Sequence, residues 1–330
     1  MKNRSAFSGI DTFLSASKFS TATKLTYSNA LRTFHTWCRS RKLSFLSEQD
    51  IYLFRQWLLE KYRLTTAQTY MAVIKQYFSW LSKNKSYDDI ALDVRGVRID
   101  HSEPMRNYLS GQKIKRILDL LSEQADQSGT LLDMRNYMIV LLMATCGLRI
   151  SEVKNLDVGD FYRSSETFRL LIHGKGRDGK ADSVNVPEYV VKKITHWLKM
   201  RQSPSAVFPM FTSMGNNNKD GRLCSRSVSQ IVKQAMITAG FNSSRLTAHS
   251  LRHSAVTLAL LAGASLQEVQ QFARHRRIET TQMYAHNLEA QRNRCSQLII
   301  DMIRPEVKRK TLRKYGTLIK KRRKAPANLR

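Results

Sequence analysis

Acidic residues are scarce in this 330-residue chain: 26 aspartates and glutamates face 55 lysines and arginines, a formal charge of +29 at neutral pH. Such a surplus makes a folded molecule repel itself unless a polyanion neutralises it, and nucleic acid is the expected polyanion. Long hydrophobic runs are missing too. The longest, around MIVLLMATC, is about half of the roughly 20 residues that a membrane span requires, so no membrane partner is expected. Cysteine is sparse: Cys38, Cys146, Cys224 and Cys295 lie more than 70 residues apart without a C-x-x-C pair, and they read as ordinary reduced thiols. The opening MKNRSAFSGIDTFLSAS has no apolar core of the secretory kind, so the expected location is cytoplasmic, beside the nucleoid.

What is present suggests two domains, since this length exceeds one unit of about 150 residues. Apolar positions recur at helical spacing in Tyr27, Ala30, Leu31, Phe34, Trp37 and Cys38, around Phe54, Trp57 and Leu58, and in Tyr70, Val73, Ile74, Tyr77, Phe78 and Leu81. The spacing predicts a helical bundle over residues 1–95, with these aromatics as its core and basic faces outward. From Asp88 to Pro104 the periodicity fades, which places an interdomain linker at 96–106. A second domain then spans 107–303. It contains a strongly apolar helix from Met134 to Thr145 that halts at Gly147, and the stretch FRLLIHGKGRDGKADSVNVP, two strand-like runs around a glycine-rich turn. The expected class is mostly α, with a small antiparallel sheet in an α+β second domain. Residues 304–330 form a basic tail whose only acidic residue is Glu306; it is either solvated or a phosphate-binding arm that reads no sequence. Just before it, Leu298, Ile299, Ile300, Met302 and Ile303 form an apolar cluster that packs within the chain or docks on a neighbouring subunit.

The candidate chemistry lies in short stretches of the second domain. In TAHSLRHSA, His249, Arg252 and His253 stand at i, i+3 and i+4 and share one helix face. That spacing fits a zinc site, an anion site or a pair of core histidines. Arginine beside a divalent cation is repulsive, whereas guanidinium is a planar donor for phosphate oxygens. In TCGLRISEV, Arg149 emerges where the apolar helix breaks and Glu152 lies three residues on, an arrangement that suits a preset phosphate clamp or a plain surface ion pair. Gly174, Gly179 and Lys180 in GKGRDGKA match the phosphate loop of nucleotide hydrolases. Ala181 follows without a hydroxyl for magnesium, and DSVNVP reads as a strand where that motif needs a helix. Finally, ARHRRIETTQMYAH supplies His275 and Tyr284.

Taken in order, Arg149 in GLRISE, Lys175 in HGKG, His249 and Arg252 in HSLRH, His275, and Tyr284 in TTQMYAH resemble the tyrosine recombinases, or phage-type integrases, over nearly all of the second domain. By length and helical pattern the first domain is similar to that family's core-binding, SAM-like bundle. The resemblance implies that Tyr284 attacks a DNA phosphodiester and forms a 3′-phosphotyrosyl bond with no metal, ATP or other cofactor. Arg149, Arg252 and His275 would stabilise the charge on the nonbridging oxygens, His249 would act as general acid or base, and Lys175 would protonate the leaving 5′ oxygen. Glu152 would support Arg149. It also implies duplex DNA recombination sites as partners, a homotetramer on two of them, and accessory DNA-bending factors. The expected role is the integrase or transposase of a mobile element. The alternatives are an Xer-like dimer resolvase and a DNA-binding protein of the same fold that does not cut. This chain departs from the family pattern in two places. Arg274 stands where a glycine usually precedes the later histidine, and Arg177 and Lys180 share the turn of Lys175, leaving Lys180 as the rival acid. No catalytic counterpart in the family is claimed for His253, and a structural role is expected for it.

Overall fold

The computed structural model describes residues 7–43, 45–85, 87–99, 108–173, 180–202, 205–215, 218–292 and 295–303. The chain divides into two compact units, Met1–Pro104 and Met105–Arg330. Among the described residues, no helix is long and apolar enough to cross a membrane.

Four helices build the first unit: α1 (Ile10–Ala16), α2 (Thr21–Ser40), α3 (Glu48–Lys61) and α4 (Leu64–Lys85). Their starts are written locally. The Ser20 hydroxyl accepts from the Thr23 amide, and Ser47 and Asp50 form a reciprocal capping box that satisfies donors the helix leaves unpaired. The recurring apolar residues face inward, with Phe34, Phe54, Tyr77 and Phe78 fully buried. Phe34 and Phe54 meet edge to face at 4.8 Å between ring centroids, a favourable geometry for aromatic quadrupoles. The segment after Asp88 stays with this unit. Ala91, Val94 and Val97 enter the same core, and the Lys75 ammonium donates to the Leu92 and Val94 carbonyls at 2.9 and 2.6 Å.

The second unit is organised around α6 (Leu131–Thr145), a helix apolar on every side and buried from Met134 to Ala144. Such a helix needs cover all round. It receives it from α5 (Gly111–Ser128), α8 (Glu188–Arg201), α9 (Ser225–Thr238) and α10 (Ala248–Leu261). Between the short α7 (Ile150–Asn155) and α8 lies a three-stranded antiparallel sheet, β1 (Phe161–Ser164), β2 (Thr167–His173) and β3 (Lys180–Val186), in the order β1-β2-β3. Alternate residues Leu170 and Ile172 of β2, with Val184 and Val186 of β3, turn into the core. The strand following Gly179 is the element expected there, where a nucleotide loop would open a helix. The strand β1 was not expected, because four residues are too few to display a two-residue period. Three further helices end the unit: α11 (Leu266–Ala273), α12 (Ile278–Arg292) and α13 (Cys295–Ile303). On α13, Leu298, Ile299, Ile300, Met302 and Ile303 are all exposed.

Phe54 is fully buried among the aromatics of α2 and α3. Replacing it with alanine removes its apolar contacts and leaves a cavity, and the first unit's stability is expected to fall by about 3–5 kcal/mol in urea melts.

Candidate active site

The site begins where α6 stops. Gly147 adopts φ +59°, and a Cβ there would stand 2.9 Å from the Phe272 ring, so this position requires glycine for its backbone and for the close approach. The turn aims the Gly147 carbonyl inward and leaves Arg149 as N-cap of α7. Glu152 reaches back from the first turn of α7. Its carboxylate accepts from the Arg149 backbone amide at 2.7 Å and from Arg149 Nη1 at 2.6 Å. Arg149 Nη2 donates to the carbonyls of Ala273 and Arg274, both at 3.2 Å.

Helix α10 brings the second arginine. Arg252 is only 2% exposed, with Nη1 donating to the Gly147 carbonyl at 2.6 Å and Nη2 to the Ala273 carbonyl. Two guanidinium groups from segments a hundred residues apart thus converge on one oxygen. One turn earlier on the same helix, His249 is exposed, and its ring meets that of His253 at 4.2 Å, nearly perpendicular.

At the end of α11 the chain needs a left-handed residue to turn. Arg274 provides it, with φ 53° and ψ 47°. The backbone that a glycine usually supplies is therefore kept, at a cost of roughly 1 kcal/mol for a residue with a Cβ. Its side chain accounts for the substitution: Arg274 Nη2 donates to Glu152 Oε2 at 2.8 Å and to the Gly147 carbonyl at 3.0 Å. His275 follows, its Nδ1 paired with the Thr281 hydroxyl at 2.9 Å. Nine residues on, Tyr284 of α12 stacks on His275 with 6.0 Å between ring centroids. Its ring packs with Val256, Val269 and Ala273, and its hydroxyl is hydrogen-bonded to His253 Nδ1.

These contacts set the charges. Burial pushes the Tyr284 phenol up to about 12, against the pull of Arg252 and Arg149. Arg252 falls to about 9 through burial and the repulsion of Arg149 and Arg274, and stays cationic at neutral pH. Burial, then neighbouring charges, lowers His253 and His275 to about 4, so both are neutral there: His249, Arg252 and His275 act on His253; Arg252, Arg149, Arg274 and His249 act on His275. Two guanidinium groups, of Arg149 and Arg274, share one carboxylate, and a third, of Arg252, is bonded to backbone carbonyls beside them. That excess of positive charge, with donors already oriented, suits a single anion.

The structure thus gathers Arg149, Glu152, Arg252, His275 and Tyr284, with His249 beside them at the surface. Lys175 and the rest of its turn, 174–179, lie outside the described residues, as do the side chain of Lys180 and the tail 304–330. Among the described residues, no group of three or more histidine, cysteine or carboxylate side chains is arranged to hold a metal ion. Two contacts were not legible beforehand. His253 touches the Tyr284 hydroxyl, for which its position four residues after His249 was the only signal, and Arg274 joins the Glu152 cluster.

The sequence model of the phage integrase family matches residues 107–291. Tyrosine recombinase XerC of Actinobacillus pleuropneumoniae is 27% identical over 66% of this chain and 66% of its own length. Tyrosine recombinase XerD of Rickettsia bellii is 27% identical over 79% of this chain and 87% of its own. Among solved structures, the XerH site-specific recombinase in its post-cleavage complex with palindromic difH superposes with a TM-score of 0.71 at 20% identity, covering 89% of this chain and 85% of that one. The Tn1549 transposon integrase, in complex with transposon right end DNA, gives 0.64 at 16% identity, covering 84% and 94%. These two likenesses are likenesses of fold.

Glu152 generates a stability prediction. Burial raises its pKa, but Arg274, the Arg149 amide and the Arg149 guanidinium outweigh burial, and the net shift is downward. Its contribution to stability is thus complete above the ordinary carboxylate range and is lost as pH falls through the lower folded value. Glu152→Gln leaves buried cations unpaired and is expected to cost about 3–5 kcal/mol at pH 7. Urea melts across a pH series should show that cost shrinking in acid.

Proposed function

This chain belongs to the phage integrase family, the tyrosine recombinases, and from that premise we propose that it is a site-specific DNA recombinase using Tyr284 as nucleophile. One observation carries the reading: Arg149 and Arg252 donate to the same carbonyl while Tyr284 stacks on His275 immediately beside them. A phosphodiester placed there takes the guanidinium donors not already committed to carbonyls and carboxylate, since each guanidinium has five. Negative charge growing on its nonbridging oxygens meets Arg149, Arg252 and His275. Glu152 and Arg274 hold Arg149 in position from behind.

The Tyr284 oxygen attacks phosphorus in line, and the bond to the 5′ oxygen breaks. His249 serves as general acid or base, and Lys175 in the hairpin turn delivers the proton to the leaving oxygen, with Lys180 as its rival. The phosphotyrosyl ester conserves the energy of the bond it replaces, so attack by a 5′ hydroxyl of another strand reseals DNA without ATP. Exchange between two duplexes requires paired copies, and a homotetramer on two duplex sites is the proposed assembly. The exposed apolar face of α13 serves as a docking element between subunits, and accessory DNA-bending factors complete the proposed partners. The proposed boundaries are a core-binding domain over 1–95, a linker at 96–106, a catalytic domain over 107–303 and a basic tail at 304–330, acting beside the nucleoid.

Two biological roles follow the relatives. The arginines flanking His275 and the basic tail favour the integrase of a mobile element. The XerC and XerD relatives favour a dimer resolvase. Mapping the cleaved phosphate in its flanking DNA separates them.

Incubated with nicked duplexes carrying its site, the chain should form a covalent adduct that resists denaturation and that Tyr284→Phe abolishes. An adduct persisting in that variant contradicts the nucleophile assignment. Arg149→Ala and Arg252→Ala should each slow adduct formation about a hundred- to a thousandfold. On a substrate whose 5′ leaving oxygen is sulfur, which departs without a proton, Lys175→Ala should cleave at nearly the unsubstituted rate. Continued failure there points to Lys180.

A further inference from the structure

The Tyr284 hydroxyl must lose its proton as its oxygen attacks, and the surroundings restrict where that proton goes. Arg149, Arg252 and Arg274 carry donors only. His275 has its Nδ1 engaged by Thr281 and presents its ring face to the phenol. The His249 ring meets that of His253, and the His253 ring in turn meets that of Tyr284. The side chain in hydrogen-bond contact with the phenol is His253, through Nδ1. From these contacts we infer that His253 is a further catalytic residue, the base that accepts the Tyr284 proton.

The inference rests on the recombinase reading above and adds to it an assignment the sequence did not make. As the Tyr284 oxygen forms its bond to phosphorus, its proton moves to His253 Nδ1. The phosphorus bond to the 5′ oxygen breaks, and that oxygen takes a proton from the hairpin acid. One proton enters the site at the leaving group and one leaves the nucleophile, so the cycle needs no oxidant, metal or added reactant. His253, now cationic, stands against the perpendicular ring of His249, which is exposed, and the pair links a buried phenol to solvent. In the rejoining step the same atom returns the proton to Tyr284 as the 5′ hydroxyl attacks. The groups facing His253 (His249, Arg252, His275 and Tyr284) are cationic or neutral, so it stays an unprotonated acceptor until the phosphate arrives.

The role differs from holding the tyrosine in place, and a change of nucleophile separates the two. His253→Asn keeps a polar atom near the Nδ1 position but accepts no proton. In 3,5-difluorotyrosine the ring fluorines acidify the phenol and offset the upward push of burial, so its loss of a proton depends much less on a base. The full chain is made in four forms, with histidine or asparagine at 253 and tyrosine or difluorotyrosine at 284. Each is incubated with a pool of short nicked duplexes of random sequence, enriched beforehand by covalent capture on the unmodified protein. With tyrosine, His253→Asn should slow adduct formation about a hundredfold or more. With difluorotyrosine the two forms should react within a few fold of each other, with a flattened pH profile. Equal rates with tyrosine, or an unrescued defect with difluorotyrosine, overturn the assignment of His253 alone. No captured DNA from the unmodified protein overturns the recombinase reading, and this inference with it.

Discussion

Positive charge held against positive charge is the constraint on which this site depends. Arg149, Arg252 and Arg274 crowd around a single carboxylate and the carbonyls of Gly147 and Ala273. Such crowding is unfavourable in the free chain: burial and then the repulsion of Arg149 and Arg274 lower Arg252 to about 9. It persists because every guanidinium is tied to backbone or to Glu152, so the repulsion cannot relax by turning a side chain into water. In the proposed function a bound phosphodiester would relieve it, and the transition state, with more charge on the same oxygens, would relieve it further.

The rest of the second unit exists to keep those ties taut. A helix apolar on every side needs a complete jacket, and one helix of that jacket carries part of the site: α10 lies directly on α6, while α7 emerges from its end. Gly147 turns the chain where Phe272 leaves no room for a side chain, and its carbonyl becomes an acceptor for two arginines from elsewhere. On the opposite wall, Tyr284 is held by the small cluster of Val256, Val269 and Ala273. Burial raises the phenol while the arginines lower it, and the nucleophile therefore rests protonated.

Much of this was written in the sequence. Helical periodicity marked α2, α4 and α6, since burial on one face or on all faces leaves a direct trace in residue order. The ordered set from Arg149 to Tyr284 pointed to a candidate site, and the structure brings Arg149, Arg252, His275 and Tyr284 of that set together. What stayed hidden depends on tertiary contact. The four residues of β1 carry no period of their own. Arg274 looked like a disturbance of its turn, yet it keeps the glycine-like backbone and sends its guanidinium to Glu152, a residue more than a hundred positions away. His253 read as packing because nothing in its own segment says that α12 will lay a tyrosine hydroxyl against it. Lys175 and its neighbours in the hairpin lie outside the described residues, and the choice between Lys175 and Lys180 stays chemical.

The site's logic is that a backbone diester enters a pocket of preset donors and finds the phenol already beside it. A crystal structure of the chain on a duplex carrying its intact scissile phosphate tests that most directly. One phosphate should have its nonbridging oxygens bonded to both Arg149 and Arg252, with the Tyr284 oxygen in line with the bond to the 5′ oxygen. DNA seated on another face, with Tyr284 facing no phosphate in any subunit, would contradict it.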